Sequence, residues 1–327
     1  MEQEITEEVL KSMRVGHSFH EEGPLISSME FQENGEKLVV ARTDSSISIY
    51  DCLNPKHENK IFCKKYGVEI IKWIGYGNTV LCSSKPPTGN DHSIRFLSLH
   101  DNKYIRFFKG HTEKVLSIAP SLRDDFFISS SLDKSVLVWD LRTPSLVGQI
   151  NAKIDDPFVA FDPAGVVFGV ATTLFKNGIY QPQIKLFDLR KIEKGPFGFF
   201  DLDIQFPAKS PKYQWTSFQF NHKQTHILLS TNSNYVLLIN PLNGQITQIF
   251  NSRSNKQFEN IEACFTPDSK FILSGSDDGN ITFWGVEEKQ EIPVMQYNQE
   301  LIRFTKFNPV YLMFAEGNST LNFWIPK

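Results

Sequence analysis

A histidine, a serine and an aspartate occur close together in the chain, and with a nearby tryptophan they have the types and spacing of a hydrogen-bonded network. His111 precedes an apolar segment, Ser129 or Ser130 and Asp133 follow it, and Trp139 ends the next segment. Serine hydrolases use the same three types as base, nucleophile and orienting acid. No strand–turn–helix pattern carries the serine, which disfavours that chemistry. We therefore expect a buried structural network that stiffens its surroundings.

Other residue types that support catalysis are scattered along the chain. The four cysteines form no C-x-x-C pair, and no H-E-x-x-H, Walker A or G-x-G-x-x-G motif occurs. The paired aspartates at 124–125, 155–156 and 277–278 fall in turn-like segments, where solvated turns are much more common than acid–base catalysts. The sequence therefore predicts no metal, no cofactor and no enzyme activity.

Basic and aromatic residues cluster in the first third of the chain. They include Lys64, Lys65, Tyr66, Tyr104 and Arg106. Two interpretations stay open for this cluster. Its members can be solvated residues on outer strands, or they can form a partner-binding surface, since Tyr and Arg are enriched at interface hot spots. We carry them forward as candidate partner-binding residues.

A repeat sets the architecture that must position these residues. Seven times, two apolar strands joined by a turn lead to a third strand, which ends in an aromatic or apolar residue at intervals of about 40–50 residues. Within the strands the alternation has a period of two, as in SISIY and SVLVW. A repeat of about 40–50 residues is typical of WD-repeat blades, each a four-stranded antiparallel sheet. The third strands end at Tyr50, Leu97, Trp139, Phe187, Ile239, Trp284 and Trp324.

The turns and the chain ends agree with a closed ring. Asp133 and Asp278 each stand six residues before a strand-ending tryptophan, Trp139 or Trp284, and Asp suits a tight turn because its carboxylate accepts local N–H bonds. The last repeat supplies three strands, so we expect the segment 14–20 to complete it. The prediction is one domain over 1–327: an all-β, seven-bladed propeller with an extension at 1–13 and a closing strand at 14–20.

Loops that lead into a blade lie on the narrower face of a propeller, which usually binds ligands. The same reasoning adds five candidate partner-binding residues there: Glu69, Lys114, Phe158, Trp215 and Arg303. Two further segments, 84–92 and 173–183, break the regular spacing and read as inserted loops, which often carry recognition.

Composition narrows the function classes. The 327 residues are 40% hydrophobic and include 28 Phe, so aromatic packing is expected to dominate the core. A formal net charge of −3 gives no indication of nucleic-acid binding. No run of 18 apolar residues occurs, and the acidic N-terminus does not resemble a secretory signal, so we expect neither a membrane span nor secretion.

Several stretches are more specific than the repeat itself. They are KKYGVEII (64–71), RFLSLHDNKYIRFFKGH (95–111), FISSSLDKSVLVWDLR (127–142), FDPAGVVF (161–168), KLFDLRKIEKGPF (185–197) and ACFTPDSKFILSGSDDG (263–279). With them, nearly the whole chain resembles the WD-repeat subunit shared by two nuclear assemblies. One is COMPASS, the histone lysine methyltransferase; the other is the cleavage and polyadenylation factor with its type 1 phosphatase and PNUTS-like module.

The resemblance implies a non-catalytic nuclear scaffold. Such a subunit would hold a segment of the methyltransferase, or of the phosphatase regulatory subunit, and would link it to the phosphorylated C-terminal repeats of RNA polymerase II. Which of the two assemblies this chain serves stays open, because its N-terminus and its blade-four insertion depart from the family pattern. The alternative from another class is a WD-repeat substrate receptor of a ubiquitin ligase, with a degron on the same face.

Overall fold

The computed structural model describes residues 4–75, 77–85, 91–150, 155–176, 179–204, 214–288, 291–293 and 300–327. Across these residues, 28 strands pair antiparallel in seven four-stranded sheets. Six sheets contain four consecutive strands each, and the seventh combines the first strand of the chain with the last three. This confirms the predicted all-β, seven-bladed propeller.

The blades are numbered in chain order. Blade one contains β2–β5, blade two β6–β9, blade three β10–β13, blade four β14–β17, blade five β18–β21, blade six β22–β25, and blade seven β26–β28 with β1. The strands are β1 (Arg14–His20), β2 (Ile26–Phe31), β3 (Lys37–Arg42), β4 (Ser46–Asp51), β5 (Lys56–Phe62), β6 (Ile71–Trp73), β7 (Thr79–Ser83), β8 (Ile94–Ser98), β9 (Lys103–Phe108), β10 (Val115–Pro120), β11 (Phe126–Ser131), β12 (Val136–Asp140), β13 (Leu146–Ile150), β14 (Asp155–Phe161), β15 (Val167–Lys176), β16 (Ile179–Asp188), β17 (Gly198–Asp201), β18 (Trp215–Phe220), β19 (Ile227–Thr231), β20 (Val236–Ile239), β21 (Ile246–Phe250), β22 (Ala263–Phe265), β23 (Phe271–Ser274), β24 (Thr282–Gly285), β25 (Glu291–Pro293), β26 (Phe304–Phe307), β27 (Phe314–Gly317) and β28 (Thr320–Ile325). The helices are α1 (Glu7–Ser12) and a 3-10 helix (Leu189–Lys194).

The first strands of the blades surround a central channel. Each contacts the first strand of the next blade, and between blades five and six Ser217 and Gln219 of β18 donate to the Ala263 carbonyl of β22. Hydroxyl groups join neighbouring blades: Ser117 Oγ accepts from the backbone N–H of Val159 at 2.9 Å, and Thr216 Oγ1 donates to the carbonyl of Ile261 at 2.7 Å. Contact between β26 and β2 completes the ring.

The predicted closing strand is confirmed. β1 pairs antiparallel with β28 from Arg14 opposite Ile325 to His20 opposite Thr320, with one irregularity near Gly16. A Cβ at Gly16 would lie 2.8 Å from the Ile325 side chain, so a larger residue is resisted there. Pairing the two ends of the chain removes two open sheet edges at once.

Helix α1 belongs to the core although it precedes the closing strand. Thr6 caps it by accepting from the backbone N–H of Val9 at 3.4 Å, and Glu7 pairs with Lys11. Leu10 is fully buried, together with Met13 and the Trp324 ring, in a cluster between blades six and seven. The segment expected to be an N-terminal extension therefore fills a groove of the ring.

Aromatic side chains contribute to the packing between blades but do not dominate it as the composition predicts, because the cluster between blades one and two is mostly aliphatic. Between blades two and three, the Phe108 and Phe127 rings lie 4.8 Å apart in a T-shaped contact, and Trp139 lies 5.6 Å from Phe108. Fully burying one such side chain stabilises the fold by roughly 1.5–3 kcal/mol. Consecutive hydrophobic clusters, aromatic to different degrees, hold each blade against the next.

One predicted insertion is not a loop. The segment 173–183 was expected to leave the blade, but β15 and β16 pair as far as Lys176 opposite Ile179 and lengthen the blade-four hairpin. Continued cross-strand pairing satisfies its backbone groups better than an irregular loop would. Of the other insertion, residues 86–90 lie outside the described residues. None of the described helices is long and apolar enough to cross a membrane.

Candidate functional site

The turn between β5 and β6 presents two lysines on the top face, the side of the ring that carries the loops leading into each first strand. Its backbone closes through a 2.7 Å hydrogen bond from the Gly67 N–H to the Cys63 carbonyl. Gly67 has a φ of 68°, and a side chain there would collide with the Lys85 carbonyl, so glycine is required. The turn holds Lys64 and Lys65 at the exposed surface.

Arg95 on β8 fixes this turn from inside the blade. Its buried guanidinium donates to the carbonyls of Tyr66 (3.4 Å) and Gly67 (3.3 Å) and to the hydroxyl of Ser84. It also lies over two rings, 4.4 Å from the centroid of Tyr66 and 5.7 Å from that of Tyr104. Arg95 was not predicted as a site residue, because no local motif marks an arginine near the start of a strand.

A cation–aromatic surface results on the top of blade two. The Tyr66 and Tyr104 rings meet at 5.6 Å, Lys65 Nζ lies 4.9 Å above the Tyr66 ring, and Lys64 Nζ lies 5.4 Å from the half-exposed Phe62 ring. We call Phe62, Lys64, Lys65, Tyr66 and Tyr104 the basic–aromatic surface. Within the described residues, no carboxylate lies within ion-pair distance of Lys64 or Lys65, so both charges face outward.

Arg106 does not join this surface. Tyr104 packs toward blade one, whereas Arg106 crosses to blade three and donates to the carbonyl of Leu141. The reason is a β-bulge: Leu97 pairs with Tyr104, but Phe96 pairs with Arg106, so the regular alternation is shifted between them. Arg106 therefore joins two blades, which corrects its assignment to the basic cluster.

Three of the predicted loop residues are neutralised by ion pairs between blades. Glu69 at the start of blade two pairs with Lys114 of blade three at 2.8 Å and approaches Lys85 at 3.9 Å. Arg303 of blade seven pairs with Glu259 of blade six at 2.5 Å. These pairs lie on the top face, but their charges already have partners, so they offer less to a ligand than Lys64 and Lys65.

Two of the candidate partner-binding residues are aromatic, and neither stands on the top surface. Trp215 is 3% exposed and packs in the core between blades four and five, so it is not available to a partner. Phe158 is half-buried, packs against the same core and lines the central channel.

The central channel forms a cavity of about 110 Å³ whose charges are balanced. Lys72 Nζ lies 2.5 Å from Glu30, and Lys306 Nζ lies 3.1 Å from Glu262 and 4.0 Å from Glu30. Burial opposes ionisation of Glu30, but the two lysines outweigh it and lower the pKa of this carboxyl. The four groups join blades six, seven, one and two, and they are already paired with each other.

The network predicted in blade three is present in full. Trp139 Nε1 donates to Ser129 Oγ at 2.9 Å, Ser129 Oγ lies 2.8 Å from His111 Nε2, and His111 Nδ1 lies 2.9 Å from Asp133 Oδ2. Because Ser129 receives the indole N–H, its own proton points to His111, whose other nitrogen then donates to Asp133. Asp133 also accepts from the Ser135 hydroxyl at 2.6 Å.

Burial decides between the structural and catalytic interpretations of this network. Ser129 is fully buried and His111 is 8% exposed, so a substrate has no route to the hydroxyl. Burial lowers the pKa of His111 despite the opposing effect of Asp133, which keeps the imidazole neutral at physiological pH. The geometry supports the structural role that the sequence predicts for His111, Asp133 and Trp139.

Other blades keep only parts of this network. In blade six, Trp284 Nε1 donates to Ser252 Oγ at 2.9 Å, while the exposed Asp278 accepts from the Asn280 N–H at 3.2 Å and from the Ser276 hydroxyl. Asp278 thus shapes its turn, as expected, but it does not reach Trp284 through a histidine.

Buried arginines take over where the histidine is missing. Arg42 donates to the Pro24 carbonyl at 3.0 Å, near blade one. Arg253 donates to the carbonyls of Ser233 (2.8 Å) and Ile261 (3.2 Å), between blades five and six. Like Arg95, each donates from inside the fold to loop carbonyls, some of which have a second donor, as the Ile261 carbonyl has in Thr216.

No group of three or more His, Cys, Asp or Glu side chains comes together in the described residues to hold a metal ion. All four cysteines are buried, and burial raises the pKa of the Cys52 and Cys82 thiols to about 12. These thiols are therefore protonated and poor ligands or nucleophiles. The absence of a cofactor stays a prediction.

Comparison with known proteins places this ring in a class. The WD domain, G-beta repeat family matches residues 102–140 and 257–285, which include the inner strands of blades three and six. The protein is a WD-repeat β-propeller with a basic–aromatic surface on blade two.

The similarity extends over the full chain for individual relatives. WD repeat-containing protein 82 of Drosophila melanogaster is 36% identical over 327 residues, covering 100% of this chain and 98% of that protein. COMPASS component SWD2 of Saccharomyces cerevisiae is 28% identical over 93% of this chain and 91% of its own length, and Set1 complex component swd2 of Schizosaccharomyces pombe is 29% identical over 81% and 72%. The chain belongs to the WD repeat-containing protein 82 family.

Proposed function

We propose that the protein is a non-catalytic scaffold subunit of a nuclear COMPASS-type histone lysine methyltransferase complex. The observation that carries this proposal is similarity over nearly the whole chain to a relative named as a COMPASS component. A second relative is named as a component of the Set1 complex. The family-specific stretches include the turn of the basic–aromatic surface, KKYGVEII, which ties the resemblance to the candidate site.

The basic–aromatic surface is the part of the ring best suited to hold a partner segment. Tyr66 and Tyr104 are held rigidly by Arg95, so they lose little freedom on binding. Lys64 and Lys65 face outward and would pair with carboxylates or phosphates of the segment. A segment that is disordered when free bears the ordering cost itself, while the ring changes shape little.

The same surface suits the other partners that the family resemblance implies. A regulatory subunit of a type 1 phosphatase in the cleavage and polyadenylation factor would dock as a similar short segment. Phosphorylated C-terminal repeats of RNA polymerase II would pair their phosphates with Lys64 and Lys65. These partners belong to the proposal as alternatives to the methyltransferase or additions to it, and none requires nucleic acid or membrane contact.

Tagged purification from nuclear extract, with copurifying chains identified by mass spectrometry, tests the proposal. Recovery of methyltransferase subunits is the expected result. Recovery of a type 1 phosphatase with polyadenylation subunits would assign the chain to 3′-end processing. Recovery of ubiquitin ligase subunits would favour the substrate-receptor alternative, and recovery of none of these chains would overturn the assignment.

A further inference from the structure

A small cavity at the top of blade seven is lined by oxygen-bearing side chains. Its volume of about 10 Å³ suits a single water molecule or ion. The oxygen-bearing residues that line it are Glu300, Glu316, Asn318, Ser319, Thr320 and Asn322.

Glu316 is the most deeply buried acid at this cavity. It lies on β27, is 3% exposed, and accepts from Asn322 Nδ2 at 2.6 Å and from Trp324 Nε1 at 3.4 Å, both through Oε1. Among the described residues, no Lys, Arg or His lies within ion-pair distance of its carboxylate. A buried carboxylate without a cationic partner is costly, because burial removes its hydration.

Two amide oxygens at the same cavity also lack a donor. The side-chain oxygen of Asn322, which is 1% exposed, makes no hydrogen bond, and neither does the buried side-chain oxygen of Asn318. The Asn322 amide nitrogen is already used by Glu316, so turning the amide over would sacrifice that bond. Glu300 adds a second carboxylate, which accepts from the Ser319 hydroxyl at 2.9 Å.

We propose that this cavity binds a hard divalent cation of the Ca²⁺ type, with Glu316, Glu300 and the amide oxygens of Asn318 and Asn322 as ligands. Donors that are all oxygen, with no His or Cys, favour Ca²⁺ or Mg²⁺ over zinc or copper. Ligands from β27, β28, the turn that joins them and the segment before β26 fit the flexible coordination of Ca²⁺ better than the strict octahedron of Mg²⁺.

The neighbourhood sets the expected strength and consequence of binding. The Arg42 guanidinium donates to the Ser319 carbonyl at 3.2 Å, so a positive charge close by weakens the site. With two carboxylates, we expect a dissociation constant of about 0.1–1 mM. The Asn318 carbonyl accepts from the Ile26 N–H at 2.7 Å, so a cation here would stiffen the contact between blades seven and one, where the ring closes.

Terbium luminescence tests the site in the full-length chain. The Trp324 indole nitrogen lies 3.4 Å from Glu316, so excitation of tryptophan should sensitise a Tb³⁺ ion bound there. We expect saturable emission that Ca²⁺ displaces, and at least about a tenfold weaker affinity in Glu316→Gln. Gln keeps the acceptor oxygen for Asn322 and Trp324, so this variant should fold. The matched control is Glu113→Gln, an exposed acid on blade three, which should leave the emission unchanged.

Thermal unfolding provides a second measurement. Millimolar CaCl₂ should raise the Tm of the wild type and of Glu113→Gln by about 2–4 °C and leave that of Glu316→Gln unchanged. Two results would overturn the site. One is no saturable Tb³⁺ emission up to about 10 mM Tb³⁺; the other is that Glu316→Gln keeps the full emission and the full Tm shift. Either result would show that the buried carboxyl is held without a metal ion.

Discussion

Blades two and three lie side by side and hold their top loops by different chemistry. Blade three uses a neutral histidine between Ser129 and Asp133, and every member of that network is closed off from solvent or nearly so. Blade two uses the Arg95 guanidinium, which binds loop carbonyls and lies over the rings of Tyr66 and Tyr104. Both arrangements satisfy buried polar groups, but that of blade two adjoins the exposed Lys64 and Lys65, whereas that of blade three ends at Asp133, whose side chain is 9% exposed.

The difference separates stability from recognition. A closed network such as that of His111 can stiffen a blade without offering anything to a partner. In blade two, the group that fixes the turn also fixes the orientation of the basic–aromatic surface. We therefore expect substitutions in blade three to change stability alone, and substitutions at Arg95 to change both stability and binding.

Replacing His111 with Ala should have the largest effect. It leaves Ser129 and Asp133 without their shared partner and opens a cavity, so the free energy of unfolding should fall by about 3–4 kcal/mol. Urea unfolding measures this loss. The folded fraction of His111→Ala should still recover its partners in purification. Loss of partner recovery without loss of stability would contradict the separation of stability from recognition.

Replacing Arg95 with Met should lower the free energy of unfolding by about 2–3 kcal/mol, because the Gly67 carbonyl and the Ser84 hydroxyl lose the guanidinium and the Tyr66 carbonyl keeps only the Lys85 N–H. Partner recovery should fall as well, since the Tyr66 ring loses its support. Purification at a temperature well below the Tm of the variant separates the two effects. Full partner recovery by this variant would show that the surface does not depend on Arg95.

Arg106→Glu should lower the free energy of unfolding by about 1–2 kcal/mol, because it removes the donor to the Leu141 carbonyl and places an acid near Asp140. Its matched control is Lys65→Glu, which has no such contact and should change stability by less than about 0.5 kcal/mol. Thermal unfolding of both variants measures the contrast. Equal stabilities would mean that Arg106 is not a link between blades two and three.

The smallest effect concerns the aspartate turns of blades one and three. Ser45 and Lys134 each follow a turn aspartate and have a φ of 66°, a conformation that favours glycine. Ser45→Gly should raise the free energy of unfolding by about 0.5–1 kcal/mol. Lys134→Gly should raise the free energy of unfolding by less than Ser45→Gly does, because it also removes an ion pair with Asp155. A larger gain for Lys134→Gly in urea unfolding would contradict this account of the turns.

The features that could be predicted from the sequence are those whose interacting residues lie at a fixed spacing within one repeat or follow from the number of strands. His111, Asp133 and Trp139 belong to one repeat, so their spacing alone indicates the network. The closing strand follows from the missing fourth strand of the last repeat. Arg95 escaped prediction because its acceptors lie 28 and 29 residues earlier in the chain, in a loop that only the folded blade brings close.

Local irregularities explain the remaining differences. A strict period of two would place Tyr104 and Arg106 on one face of β9, and a single bulge sends them to opposite faces. Helix α1 has six residues, too few for a helical period to be visible, and its burial depends on a groove between the blades at the other end of the chain. Whether an aromatic residue such as Trp215 lies in the core or at the surface depends on how its neighbours fill the space between blades.

The central claim is that the basic–aromatic surface holds the partner segment. The most direct test is tagged purification of Lys64→Glu/Lys65→Glu beside the wild type, with the ratio of copurifying partner to bait measured by mass spectrometry. The matched control is Lys191→Glu/Lys194→Glu, two exposed lysines on blade four. We predict a loss of at least about tenfold for the first pair, no loss for the control, and equal Tm values. Equal partner recovery by both variants would contradict the claim.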